Sequence, residues 1–349
     1  MRTRKRMRRG ASILARVTLK QISELTGYSQ ATVSNVLNQK KEANEKTVKR
    51  IFDAAKELGY TSSKKMERII LVMYRKSGEI LLETPLILGL IDGVEKEGQK
   101  HHIETSIMNI YMSDSDHEAK ISSLLNETKS GIILLATELE WKDIEPFKKL
   151  KVPFVAVDAW YREGNFTTVL MENRNSFQQA VSYLVSKGHT KIGYIGSTIP
   201  IRNFEEREQG FREAMAEHHL KIEEKYCVKL QPTMTGAQIS MKEYLKKEHE
   251  LPTAYVAVND IIALGAMKAL KDMQYRIPDD VSIIGFDNMP FCEISSPPLT
   301  TFNVLKDEIG RTAARLLLNQ SESQERIPMK LEILTDFIER DSVKSIKIE

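Results

Sequence analysis

Cysteine is nearly absent from this chain of 349 residues, which has Cys227 and Cys292 and no others. Two are too few for a disulfide framework and lack metal-ligand spacing, so buried or free thiols in a reducing compartment are expected. His101-His102 and His218-His219 are adjacent pairs rather than pairs four apart, so they do not converge on a metal. No apolar run reaches the roughly 20 residues that a membrane-spanning helix needs. Internal repeats and low-complexity tracts are missing as well. Gly193-Tyr194-Ile195-Gly196 lacks the full three-glycine turn of a dinucleotide site, and no nucleophile elbow, phosphate loop or pair of catalytic carboxylates appears. These absences exclude the disulfide-rich, membrane and metal-centred classes, and they leave the expectation of a soluble, cytoplasmic binding protein without a cofactor.

The most informative stretch runs from Thr18 to Asn38. Leu19, Ile22 and Leu25 recur at helical spacing, Gly27 breaks the run, and Val33, Val36 and Leu37 resume it. Ser29 stands where an N-cap is wanted, with Gln30 and Ala31 in the first turn of the second helix. A third helix follows, capped by Asn44, with Val48, Ile51, Phe52, Ala55 and Leu58 as its apolar stripe and Gly59 as its end. A helix, a glycine turn and a second helix form a unit whose second helix can present its first turn to base edges in DNA.

Charge is divided along the chain. Residues 1–17 carry seven basic side chains and no acid, residues 18–68 carry net +4, and the remainder is left at net −8 against a total of +3. A basic head on an acidic body suits a protein that grips phosphates at one end. Within the basic extension, Ile13-Leu14-Ala15 is too short for a secretory h-region and is broken by Arg16. The extension reads as a disordered tail, or as a start placed too early, in preference to an arm reaching the minor groove.

After Arg68, short apolar runs alternate with longer amphipathic ones, as in parallel strands joined by helices. Strands are expected at Ile69–Met73, Ile132–Leu135, Phe154–Val157, Lys191–Ile195, Tyr255–Val258 and Val281–Gly285. Ligands of such sheets bind beyond the carboxyl ends of strands, where Asp158 and Asp260 fall.

The whole pattern resembles the lactose-repressor (LacI/GalR) family. In the headpiece the resemblance rests on Thr18, Gly27, Ser29, Thr32-Val33-Ser34, Val36-Leu37-Asn38 and Glu57-Leu58-Gly59-Tyr60. In the core it rests on Glu172-Asn173-Arg174, Gly188-His189, Arg207 before Gly210-Phe211, Asn259-Asp260, Ile277-Pro278, Pro298-Leu299-Thr300-Thr301 and Glu339-Arg340-Asp341-Ser342. It implies a small all-α helix-turn-helix headpiece (18–60), a short hinge (61–68) and an α/β core of two doubly wound, periplasmic-binding-protein-like lobes (69–345). The N-lobe would span about 69–168 plus 302–328, and the C-lobe about 169–301 plus 329–345.

By position, the resemblance puts base reading on Gln30, Ala31 and Asn35, where Asn35 replaces the usual Arg and favours adenine over guanine. Thr18, Ser29, Thr32, Ser34 and Asn38 would be phosphate contacts or caps. Effector contacts would fall on Asp158, Arg207 and Asp260, with Trp160, Tyr161 and Phe204 near enough to stack, whereas Asp287 reads as a structural cap. The implied function is a repressor on pseudo-palindromic double-stranded DNA, acting as a homodimer and switched by a sugar-type effector between the lobes. A protein corepressor and a solute-binding receptor are the alternatives. Two departures stand out. Thr61 to Arg68 is too short for both a hinge helix and a linker, so a shortened or absent hinge helix is expected. Arg75 to Glu83 is longer than the family's turn, and it is either a specificity loop or an inert insertion.

Overall fold

In the computed structural model, the structure describes residues 17–37, 44–58, 66–81, 85–247, 250–322 and 326–346. Residues 1–16 of the basic extension, Asn38, Gly59-Tyr60 and residues 61–65 of the expected hinge therefore lie outside the described residues, whereas Arg68, read as the end of the hinge, already belongs to a strand (Arg68–Arg75). The chain divides into two compact units, Met1–Lys65 and Met66–Glu349.

The smaller unit holds α1 (Leu19–Thr26), α2 (Gln30–Leu37) and α3 (Glu45–Leu58). A capping box starts α1: the Thr18 amide donates to Gln21 Oε1 at 2.7 Å, and the Gln21 amide donates to Thr18 Oγ1 at 3.4 Å. Gly27 ends it at φ 78°, a left-handed conformation that costs glycine nothing. Ser29 Oγ accepts the Thr32 amide at 3.1 Å at the start of α2, and Asn44 Oδ1 accepts the Lys46 amide at 3.0 Å at the start of α3.

Ile22, Val33, Val36, Leu37, Ile51, Ala54 and Ala55 form the core, with Leu19, Val48 and Leu58 packed at its edge. Leu25 and Phe52, expected inside, are 47% and 43% exposed. Thr26, one full turn beyond Ile22, takes the inner seat and returns its hydroxyl to the Ile22 carbonyl at 2.6 Å. Phe52 is about 100° around the helix from the buried Ile51.

The larger unit contains, in chain order, β1 (Arg68–Arg75), α4 (Leu86–Lys100), β2 (Glu104–Tyr111), α5 (His117–Leu125), β3 (Ser130–Leu135), α6 (Trp141–Ile144), β4 (Phe154–Val157), β5 (Thr167–Met171) and α7 (Arg174–Ser186). It continues with β6 (Ile192–Ser197), α8 (Arg202–Glu217), β7 (Cys227–Leu230), α9 (Met234–Lys247), β8 (Ala254–Ala257), α10 (Asp260–Asp272), β9 (Ser282–Ile284) and α11 (Pro290–Ile294). It closes with β10 (Thr301–Asn303), α12 (Lys306–Glu322), β11 (Lys330–Ile333) and β12 (Asp336–Ile338).

One sheet has the order β11-β5-β4-β3-β1-β2 and the other β7-β6-β8-β9, with parallel pairs throughout both. A short antiparallel β10–β12 pair stands apart. Each of the two sheets is the centre of a lobe. Strands β3, β4, β6 and β8 are buried along their whole length, as expected of strands covered by helices on both faces.

Lobe boundaries differ from the sequence reading. All of β5 through Met171 pairs within the first sheet, and β11, which was expected in the C-lobe, adds to the edge of that same sheet beside β5. The strands that gave no sequence signal are β2, β5, β7, β10, β11 and β12. Of these, β2, β7 and β11 are sheet edges and largely polar or part-exposed, so no continuous apolar run marks them. Among the described residues no helix is long and apolar enough to cross a membrane.

Helices α4 and α12 approach so closely that glycine is required between them. A Cβ on Gly93 would lie 2.0 Å from the Asp307 carbonyl oxygen, and one on Gly310 would lie 2.4 Å from that of Leu90. Gly93→Ala is therefore expected to destabilise the larger unit by about 1–3 kcal/mol through overpacking. Urea unfolding of the variant checks this, and an unchanged midpoint would refute it.

Candidate functional site

In the headpiece, the apolar side of α2 is fixed inward by Val33, Val36 and Leu37, which turns the opposite side out. Gln30 and Ala31 are exposed in the first turn, and Ser34 and Asn35 follow four residues later on the same faces, part-exposed. The hydroxyls of Ser29 and Thr32 lie 2.9 Å apart and serve the cap. These side chains can read base edges from the first turn, with hydroxyls and a helix N-terminus placed to meet phosphates.

The second site is a cleft between the two lobes, lined from the carboxyl ends of β1, β3, β4, β6, β8 and β9. At its base Asp158, just after β4, accepts one donor on each carboxylate oxygen: Thr137 Oγ1 at 2.6 Å and Asn203 Nδ2 at 2.7 Å. Asn203 and Arg207 lie on α8 of the C-lobe, so the Asn203–Asp158 bond joins the lobes. Arg207 donates to Asn173 Oδ1 at 2.8 Å, the Val258 carbonyl at 2.7 Å and Met171 Sδ at 3.1 Å, and its guanidinium lies 3.9 Å from the Phe286 ring centroid. Asn173 Nδ2 in turn donates to Asn203 Oδ1 at 3.2 Å, which closes the network.

Burial dominates the electrostatics. It holds the Asp158 carboxyl above the ordinary range against the pull of Thr137, Arg207 and Asn203, and it lowers the Arg207 pKa. Asp287, part-buried on the cleft wall, is pushed up to about 7, first by burial and then by Asp260 and Asp158, although Arg207 and Lys306 pull the other way. Asp158 and Asp287 adopt φ 68° and 116°, conformations that non-glycine residues rarely hold and that concentrate at functional sites.

The structure brings together five of the six expected effector residues, in two parts of the cleft, Tyr161 lying beside Trp160 in the outer one. Asp158, Phe204 and Arg207 line the inner part, and Trp160 the outer. Asp260 is fully buried and does not line the cleft. Its carboxylate accepts from Thr301 Oγ1 at 2.7 Å and the Met289 amide at 2.9 Å inside the C-lobe, because it sits in the first turn of α10 and points under the β9 loop. Asp287, read as a cap, is on the wall, together with Thr137, Asn203 and the N-cap residue Asn259. Its place directly after the last buried strand of the C-lobe was the available signal. Among the described residues no group of three or more His, Cys, Asp or Glu is arranged to hold a metal ion.

The raised Asp287 carboxyl carries a signed consequence. Its contribution to stability is present below its ordinary value of 3.8 and is lost as pH rises through about 7. The wild-type core should therefore lose stability between those values relative to Asp287→Asn, whose profile should be flatter. Melting temperatures across that range test this, and parallel profiles would refute it.

A family model described as bacterial regulatory proteins, lacI family, matches residues 18–63, and one described as a periplasmic binding protein-like domain matches residues 181–343. The chain is 30% identical over 337 residues to the HTH-type transcriptional repressor PurR of Vibrio cholerae serotype O1 (strain M66-2), covering 94% of this chain and 98% of that one. Among solved structures it is similar to a transcriptional regulator CelR–cellobiose complex, with TM-score 0.72 and 25% identity over 94% of this chain and 100% of that one. It is also similar to a LacI family transcriptional regulator from Enterococcus faecalis V583 with bound ribose, with TM-score 0.67 and 26% identity over 80% and 100%. The exposed first turn of α2, the two-lobed core and likeness to a repressor along nearly the whole chain agree: this protein belongs to the lacI family of bacterial regulatory proteins, as a DNA-binding transcriptional repressor and not an enzyme.

Proposed function

We propose that this repressor acts in the cytoplasm as a homodimer on a pseudo-palindromic operator, and that a polyhydroxylated, carbohydrate-type molecule bound between its core lobes switches its affinity for DNA. The observation that carries the reading is the polar bridge at the base of the cleft, where Asn203 of one lobe donates to Asp158 of the other at 2.7 Å beside the buried Arg207. Ligand hydroxyls both donate and accept, so they can exchange with this bridge on both sides. Three hydrogen bonds to neutral acceptors leave two of the five guanidinium N–H groups of Arg207 for a ligand. Replacing an inter-lobe hydrogen bond by ligand contacts alters the angle the lobes prefer. In a dimer that angle sets the separation of the two headpieces. Coupling of about 1–3 kcal/mol is enough for a useful switch. The sugar-bound relatives support the same ligand class.

The base-reading set in this proposal is Gln30, Ala31 and Asn35, with Thr18, Ser29, Thr32 and Ser34 at phosphates or caps. The ligand set is Asp158, Trp160, Phe204 and Arg207, joined by Asp287. Asp260 acts indirectly, by holding the Met289 amide next to the Asp287 loop.

Fluorescence anisotropy of the full chain on DNA from its own upstream region, with and without a sugar panel, tests the whole reading. One sugar is expected to shift the titration, and Arg207→Ala should weaken that sugar's effect about 10- to 100-fold, the worth of hydrogen bonds from a charged group. Asn35→Ala should change preference at a single operator base pair by about 1–3 kcal/mol. A titration that no sugar moves but a cell extract does would replace the carbohydrate with a protein partner. Sugar binding without specific DNA binding would leave a solute receptor.

A further inference from the structure

The cleft is partitioned, and the partition bears on the size of the effector; the inference rests on the carbohydrate reading above. Its inner part, between Asp158, Arg207 and Asp287, encloses only about 30 Å³. Ile80 and Leu81, from the long segment between β1 and α4, help close it. The outer part encloses about 860 Å³, within the range of small-molecule sites of about 300–1,000 Å³. Thr137 and Ile201 line both parts. The outer wall carries Trp141, Trp160 and Tyr161, and those are the only two tryptophans in the chain.

One side chain fixes the partition. Glu138 is 7% exposed, and its carboxylate accepts from the amides of Lys76 at 2.8 Å, Ser77 at 2.9 Å, Gly78 at 2.9 Å and Ile80 at 3.2 Å, and from Ser77 Oγ at 3.1 Å. Four converging amides hold the negative charge in place of a cation. The loop is therefore an ordered wall, and releasing Glu138 would free the residues that seal the inner space.

Charge narrows the ligand class further. Lys76 pairs with Glu140 and Asp143, and Arg202 pairs with Glu205 and Glu206. Four of the lining residues are acidic (Glu138, Glu140, Glu163, Glu205) and three basic (Lys76, Arg162, Arg202), so the chamber offers no cationic surplus to a uronate or a sugar phosphate.

We propose that Glu138 latches the Lys76–Leu81 loop as a partition that selects a neutral saccharide of two or more units. Its rings lie against the aromatic wall of the outer chamber, and a single hydroxyl group passes Thr137 toward Asp158 and Arg207. Glu138 is a positioning residue here, acting through the loop.

Tryptophan fluorescence of the full-length protein reads the outer chamber directly. Glucose, cellobiose and cellotriose form one titration series, xylose, xylobiose and xylotriose a second, and galacturonate with digalacturonate a third. In one neutral series the di- or trisaccharide should bind at least about tenfold tighter than its monosaccharide, and the acidic pair should bind weakly or not at all. Glu138→Ala should bring that ratio toward one by admitting the monosaccharide. Ile80→Ala, which enlarges the inner space and leaves the latch intact, should do the same, so a misfolded Glu138→Ala does not decide the matter. A wild type that binds monosaccharides as tightly as their oligomers, or digalacturonate most tightly, overturns the partition while the carbohydrate reading survives. A fluorescence signal that no saccharide moves overturns both.

Discussion

A buried guanidinium organises the core of this repressor. Removing a cation from water costs several kcal/mol even after relaxation, so Arg207 is tolerable only where its donors are met and negative charge lies near. Its immediate acceptors are neutral: an amide oxygen, a backbone carbonyl and a thioether. The compensating charge comes from Asp287 and Asp158, which act on it without a direct ion pair. That arrangement keeps carboxylates and guanidinium together, each partly unspent. Both Asp158 and Asp287 are held at left-handed φ values, at a cost of about 1–3 kcal/mol each.

The sheets decide where this chemistry sits. The order β2-β1-β3-β4-β5 in one lobe and β7-β6-β8-β9 in the other each reverse direction beside the first strand, and crevices open at the carboxyl ends at such a switch. Every lining residue from β3, β4, β6, β8 and β9 follows the end of its strand. Because the chain passes between lobes after β5, β10 and β11, the two crevices are tied to face one another, and a bond such as Asn203–Asp158 can report their relative angle.

The headpiece relies on a different economy. Its core is seven small or medium side chains, so local hydrogen bonds carry much of its definition: the Thr18–Gln21 box, the Ser29 cap and the left-handed Gly27. These devices fix the direction of α2, and direction is what base reading requires. The loop held by Glu138 applies the same logic in the core, where one carboxylate gathers four backbone amides and orders the chain from Lys76 to Ile80.

Periodicity and capping are local properties, so the amino-acid sequence by itself determined the three short helices, the buried strands β1, β3, β4, β6, β8 and β9 and the α/β character of the core. The motifs around Thr18–Asn38 and Arg207 were enough to indicate the family. Edge strands such as β2 and β11 left no pattern, because their pairing energy comes from distant backbone and not from their own apolar residues. The exposure of Leu25 and Phe52, the membership of β11 in the first sheet, the inward turn of Asp260 and the appearance of Asp287 on the cleft wall were decided only by tertiary structure. In each case the outcome depends on which side of a helix or strand end meets a neighbour far away in the chain. Spacing along one segment carries no information about that neighbour, whereas close packing in three dimensions leaves each side chain one place to go.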